Sequence, residues 1–323
     1  MDQTAKESYS VAIIDIIKAA ACLMIFLYHC NTILPGEWKF LTVLGQDLGN
    51  NLFFMVSGFA LAPSVDKTEG RGFFSWYARR LVRILPITVL AYIATYFMGY
   101  FSLSDMSQFI AVFIYPTLYW FISSILVFYI ILFIIAKLVG TKGQILICLI
   151  LFALFIVLSG RQERLYVIGL LAMIVGYLLR HHAEGYAKED RNSKEGRIVY
   201  VLMAISFIAF IFGKSTDLGG LSYGLTGAGA LGAGGTMLLA GSRMNESLSR
   251  FMKEKKYAGS VIRYTGNMAL PLYLVQCFCS GYIGFWIGSH IDFPVSFWIN
   301  FIVVWGIGTV LYLISRICAR VIS

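Results

Sequence analysis

The 323-residue chain is 59% hydrophobic and only 13% charged, with a mean hydropathy of +0.76. Soluble domains carry about 25% charged residues, so this composition excludes a water-soluble fold and points to an all-α, polytopic helical bundle in lipid. The net charge of +9 comes from Lys and Arg in short loops between apolar stretches. No recognisable nucleic-acid module accompanies it, so no nucleic-acid partner is expected.

A spanning helix needs roughly 20 mostly apolar residues. Apolar stretches run over 11–33, 47–65, 84–101, 106–118, 119–140, 143–159, 164–180, 198–213, 218–241, 264–290 and 293–319. The 106–118 run is short and holds Pro116, so it reads as a re-entrant or interfacial lead-in to the next helix. Ten spans remain. With the N-terminus inside, 22 of the 26 basic residues fall in inner segments, and only Lys39, Arg161, Arg164 and Lys214 fall outside. Excess Lys and Arg mark the cytoplasmic side, which predicts both termini inside and a multi-pass protein of a cytoplasmic membrane.

The chain reads as one membrane domain over residues 1–323, with no fixed-period repeat and no appended soluble catalytic domain. Any chemistry is therefore expected within the bundle. The first apolar stretch carries Asp15 and Lys18 and lacks a small-x-small cleavage site, unlike a secretory leader. All six cysteines lie in or at the ends of apolar stretches without a C-x-x-C pair. That favours packing over zinc or redox chemistry, and no metal is expected. The largest polar insert, His181–Gly196, reads as a loop. Within Ser242–Arg263, the run Ser247–Tyr257 is open to two readings, an interfacial basic helix or a solvated loop. The glycine-dense run 219–241 has no phosphate-loop pattern and reads as close helix packing.

Ionisable groups within a bilayer are costly, and each raises a functional question. The first stretch holds Asp15, Lys18 and His29. At about 100° per residue, all three fall within a sector of about 60°, with Lys18 and His29 about 16 Å apart along the axis. Asp15 and Lys18 can pair at i,i+3 near the inner end. His29 lies toward the outer leaflet, and an imidazole suits proton transfer near neutral pH. Chemistry alone leaves His29 open between catalysis and a structural hydrogen bond or interfacial role. In Trp76–Pro86 (WYARRLVRILP), Arg80 and Arg83 are three apart and can face one anion. Taken alone, the pair is better read as ordinary anchoring near anionic lipid.

These segments carry a resemblance. Ile14–His29 resembles the first helix of the acyltransferase-3 family, in which a basic residue precedes a catalytic histidine by eleven positions, matched by Lys18 and His29. Gly49–Phe59 (GNNLFFMVSGF) is similar to its second-helix pattern, and Arg80-Leu-Val-Arg83 with Ile84 and Pro86 to its R-x-x-R stretch. Trp120–Tyr129 (WFISSILVFY) and Gly266–Gln276 (GNMALPLYLVQ) resemble later segments, all in the family's order. Lys18 stands where Arg is usual, Asn50 and Asn51 where an apolar and a variable residue are common, and Ala269 and Gln276 where Ser and His are. No catalytic role is therefore carried to that last segment.

The resemblance implies a membrane O-acyltransferase moving an acyl group, most often acetyl, from cytoplasmic acyl-CoA to a hydroxyl of a glycan or lipid-linked sugar. It implies His29 as catalytic base with Lys18 and Asp15 on the same helix face nearer the inner end, and Arg80, Arg83 and Lys18 as contacts to the acyl-CoA phosphates. Acetyl-CoA or another acyl-CoA is then the donor, and membrane lipids and the sugar acceptor are the other partners. Two further readings use the same intramembrane charges. One is a transporter or glycan flippase, although no matching halves support the inverted repeats common there. The other is a membrane domain for sensing or scaffolding.

Overall fold

The computed structural model describes residues 11–68, 72–97, 120–186 and 194–322, and among these there is no strand. The helices are α1 (Val11–His29), α2 (Asn50–Asp66), α3 (Gly72–Phe97), α4 (Trp120–Leu138), α5 (Thr141–Val157), α6 (Arg164–Tyr186) and α7 (Lys194–Ser215). They continue with α8 (Gly220–Arg243), α9 (Asn245–Glu254), α10 (Lys256–Asn267), α11 (Ala269–Phe278), α12 (Gly284–His290) and α13 (Val295–Ile322). Short 3₁₀ turns come after α1, and π-helical turns lead into α2 at Gly45–Gly49 and join α11 to α12 at Cys279–Ile283.

Seven of the described helical segments are long and apolar enough to cross a membrane. Three of the expected spans fall short of that measure, each for a physical reason. Helix α5 has only 17 residues. Helix α8 has 24, but its glycines dilute its apolarity. The 264–290 stretch is cut into pieces, since α10 stops at Asn267 and α11 begins at Ala269. Pro271, in the first turn of α11, has no N–H to give and its ring crowds the preceding turn. The lead-in expected at 106–118 lies outside the described residues.

The surface is that of a protein solvated by lipid. Ile208 on α7, Leu149 on α5 and Ile302 on α13 are 63–67% exposed, which water would penalise and hydrocarbon does not. Elsewhere the expected loop at His181–Gly196 is partly helix, because α6 runs on to Tyr186. Of the two readings of Ser247–Tyr257, helix is the observed one, broken at Lys255 between α9 and α10.

The chain divides into two compact units. The first holds the chain up to Met24, Val43–Lys67 and Leu132–Asn267; the second holds Ile25–Thr42, Thr68–Ile131 and Met268–Ser323. In the first unit, α7 and α8 meet backbone to backbone. A methyl on Gly213 would stand 2.6 Å from the Thr226 nitrogen, and one on Gly229 would stand 2.7 Å from the Phe210 Cα. The close packing expected of the glycine run is therefore present, with small residues admitting the approach. An apolar cluster of Phe155, Ile168 and Leu171 joins α5 to α6. Near the other end of α6, the Tyr177 hydroxyl donates to the Asp66 carboxylate at 2.8 Å, with the His181 Nε2 3.7 Å from the same group.

In the second unit, α3, α11 and α13 pack together. Phe26 of α1 is clasped by Phe297, Phe301 and Trp305 of α13, with ring centroids 5.6, 5.5 and 5.3 Å away, each edge to face. Such aromatic pairs add about 0.5–1.5 kcal/mol beyond their buried area. They fix the end of α1 that carries His29.

Candidate active site

Helix α1 is continuous from Val11 to His29, so the three ionisable residues keep the shared face that the sequence spacing gives them. Asp15 and Lys18 belong to the first unit and His29 to the second. Asp15 is buried, at 5% exposure. No direct ion pair joins it to Lys18 among the described residues, although each charge acts on the other. Arg263 of α10 also acts on the Asp15 carboxylate. The two helices meet closely here, since a methyl on Gly266 would lie 2.9 Å from the Asp15 carbonyl oxygen. Asp15 therefore feels two positive charges, one from its own helix and one from α10. Sequence reasoning counted Arg263 only as one more inner charge, and nothing in its local pattern distinguishes it.

His29 closes α1 and is half-buried, with its ring 5.3 Å from that of Tyr28. The backbone just beyond it is tightly held. Cys30 is fully buried, and Asn300 of α13 donates its Nδ2 to the Cys30 Sγ at 3.4 Å and to the Ser280 Oγ at 3.2 Å. Asn300 is itself fully buried. A buried amide is costly unless hydrogen-bonded, so these contacts tie the end of α1 to the π-helical turn and α13. A lone Asn in the apolar run SFWINFIVVW is the signal that marks this position in sequence. Phe26 on one side of His29 and Cys30 on the other thus leave the imidazole on an anchored backbone.

Arg80 and Arg83 lie on α3, also in the second unit. The Arg80 guanidinium stacks 4.4 Å over the Trp76 ring and donates Nη1 to the Trp76 carbonyl at 2.9 Å. Trp76 is fully buried, so the stack fixes Arg80 against the body of the unit. Arg83 is exposed. Arg79 and Arg83 on the same helix repel the Arg80 charge, so the three form a concentrated cationic patch suited to an anion with several phosphates. Gln276, in the late segment to which the resemblance carries no catalytic role, is buried at 1% exposure. Among the described residues no group of His, Cys, Asp and Glu has the arrangement to hold a metal.

Seven helices long and apolar enough to cross a membrane, with no strand among the described residues, define an all-helical, multi-pass membrane protein. A family model described as an acyltransferase domain, that of the acyltransferase-3 family, matches residues 11–320. The chain belongs to that family and is a membrane acyltransferase. Neither the curated proteins nor the solved structures include a match.

Proposed function

We propose that the protein transfers an acyl group, acetyl as the first expectation, from cytoplasmic acyl-CoA to a hydroxyl of a glycan or lipid-linked sugar. The observation that carries this reading is the eleven-residue spacing of Lys18 and His29 on one unbroken helix of a chain that belongs to an acyltransferase family. In this reading residues 1–323 form one acyltransferase domain of ten spans, both termini are cytoplasmic, and the membrane is a bacterial cytoplasmic membrane.

In the proposed mechanism Arg80 and Arg83 hold the phosphates of the donor. The pantetheine arm enters the bundle and brings the thioester carbonyl to His29. His29 takes the proton of the acceptor hydroxyl, the C–O bond forms, the C–S bond breaks, and the proton passes on to the departing CoA thiolate. An acyl-histidine intermediate satisfies the same residues. Asp15, on which Lys18 and Arg263 both act, orients or neutralises Lys18. The transporter reading shares these charges, but family membership does not favour it.

The test incubates purified protein with labelled acetyl-CoA and a panel of glycan acceptors. CoA release that depends on the acceptor supports the enzyme; solute flux without acyl transfer sinks it. The cationic patch has its own check. Arg83→Ala, at an exposed position, should weaken acyl-CoA binding roughly tenfold, the loss of one charge-assisted contact. Unchanged CoA affinity in both Arg83→Ala and Arg80→Ala would reassign the pair to lipid anchoring.

A further inference from the structure

Two of the four basic residues that the sequence places on the outer side, Arg164 and Lys214, line one cavity in the first unit, together with Asp47 and Asp217. The cavity measures about 240 Å³, below the usual range for drug-sized ligands, about 300–1,000 Å³. It lies where the start of α6, the end of α7, the α7–α8 turn and the turn before α2 come together. None of these four residues has a part in the mechanism proposed above.

The walls are preformed. Asp47 is ion-paired with Lys214. The Arg164 guanidinium sits 4.3 Å over the Tyr223 ring. The turn itself is tied off by hydroxyls: Ser222 donates to the Thr216 carbonyl at 2.9 Å and accepts the Leu218 N–H at 2.7 Å. Gly219 at the mouth has φ +57°, a left-handed conformation that glycine adopts without strain. Asp217, by contrast, is exposed and has no hydrogen bond or ion pair among the described residues.

The charges then select the ligand. Two cations and two carboxylates sum to zero. An anion entering here meets two carboxylates, and a cation meets two positive groups. A neutral polyol meets donors and acceptors in equal supply: the Asp217 carboxylate accepts from its hydroxyls, and the Arg164 N–H groups donate to them. Lys214 and Asp47 already satisfy one another, which leaves Arg164 and Asp217 as the groups a ligand meets.

We propose that this cavity is a subsite for one uncharged, hydroxyl-rich sugar residue of the acceptor. This rests on the acyltransferase reading above and extends it to the chemistry of the acceptor. In the orientation proposed there, the cavity opens on the outer face.

The test measures saturation-transfer NMR on the full chain in lipid nanodiscs. The probes are methyl glycosides of glucose, galactose, mannose, rhamnose and N-acetylglucosamine. Methyl glucuronide, glucose 1-phosphate and phosphorylethanolamine serve as charged comparisons. At least one neutral glycoside should bind, and Asp217→Asn and Arg164→Gln should each weaken it roughly tenfold. Asp217 is exposed, so its substitution tests the site without threatening the fold. The proposal is overturned if no neutral glycoside binds, if a charged probe binds more tightly, or if both variants bind like the wild type. Sugar binding without acyl transfer would remove the enzymatic reading and leave the site standing.

Discussion

His29→Ala in the purified protein should lower acyl transfer by about two to four orders of magnitude, the usual range for removing a positioned general base, while expression and membrane insertion hold. The second half of that expectation rests on packing. His29 is half-buried at the end of α1, so truncating it opens no core cavity. The helix end is held without it, by Phe26 among three aromatic rings of α13 and by the Asn300 amide on Cys30. A structural histidine would behave in the opposite way, with lower thermal stability and activity falling only in proportion to the folded fraction. Comparing the melting transition of the variant with its turnover therefore separates the two roles that chemistry alone left open. Near-full turnover in a well-folded His29→Ala protein would remove the assignment.

The face of α1 was legible because each of its features is local. Three ionisable groups in one apolar run stand out by composition, and a continuous helix turns their spacing directly into a shared side. The same holds for the cationic patch on α3, where the three-residue spacing of Arg80 and Arg83 needs no tertiary information. The features that were not legible depend on where distant segments meet. Arg263 acts on Asp15 only because α10 approaches α1 at Gly266, and Asp47 finds Lys214 only through the packing of the first unit. Sequence counted Arg263 and Lys214 as loop charges, which is all that a local count can make of them. The break near Met268 was half legible. Pro271 announced an interruption, but the hydropathy of 264–290 still argued for one span, because apolarity carries no record of where backbone hydrogen bonds fail. The span assigned to α8 has a related origin: glycine is neutral to a periodicity count, yet it dilutes hydropathy and serves close packing instead.

Gly58→Ala and Gly176→Ala should each destabilise the protein strongly, by about 3 kcal/mol, the upper end of typical overpacking costs. Helices α2 and α6 cross with Gly58 set on the Met173 carbonyl and Gly176 set on the Met55 carbonyl, so that a methyl at either position overlaps the backbone of the other helix. A flexible side chain could swing aside; a carbonyl in a helix cannot, so the helices must separate. Separation also pulls on contacts farther along the same pair, the Tyr177–Asp66 hydrogen bond and the Arg180 guanidinium over the Phe59 ring at 5.2 Å. The measurement is thermal unfolding in detergent, with Gly306→Ala as control. That glycine on α13 has nothing within 4 Å of where its methyl would stand, so the control should match the wild type or gain about 0.5–1 kcal/mol from helix propensity. Because the first substitution already forces the helices apart, the double variant should cost less than the two single losses added. Wild-type stability in Gly58→Ala would show that the crossing yields. The expected loss would instead explain the glycine of the Ser57-Gly58-Phe59 segment by contact rather than chemistry: it is small because a neighbouring backbone occupies the space.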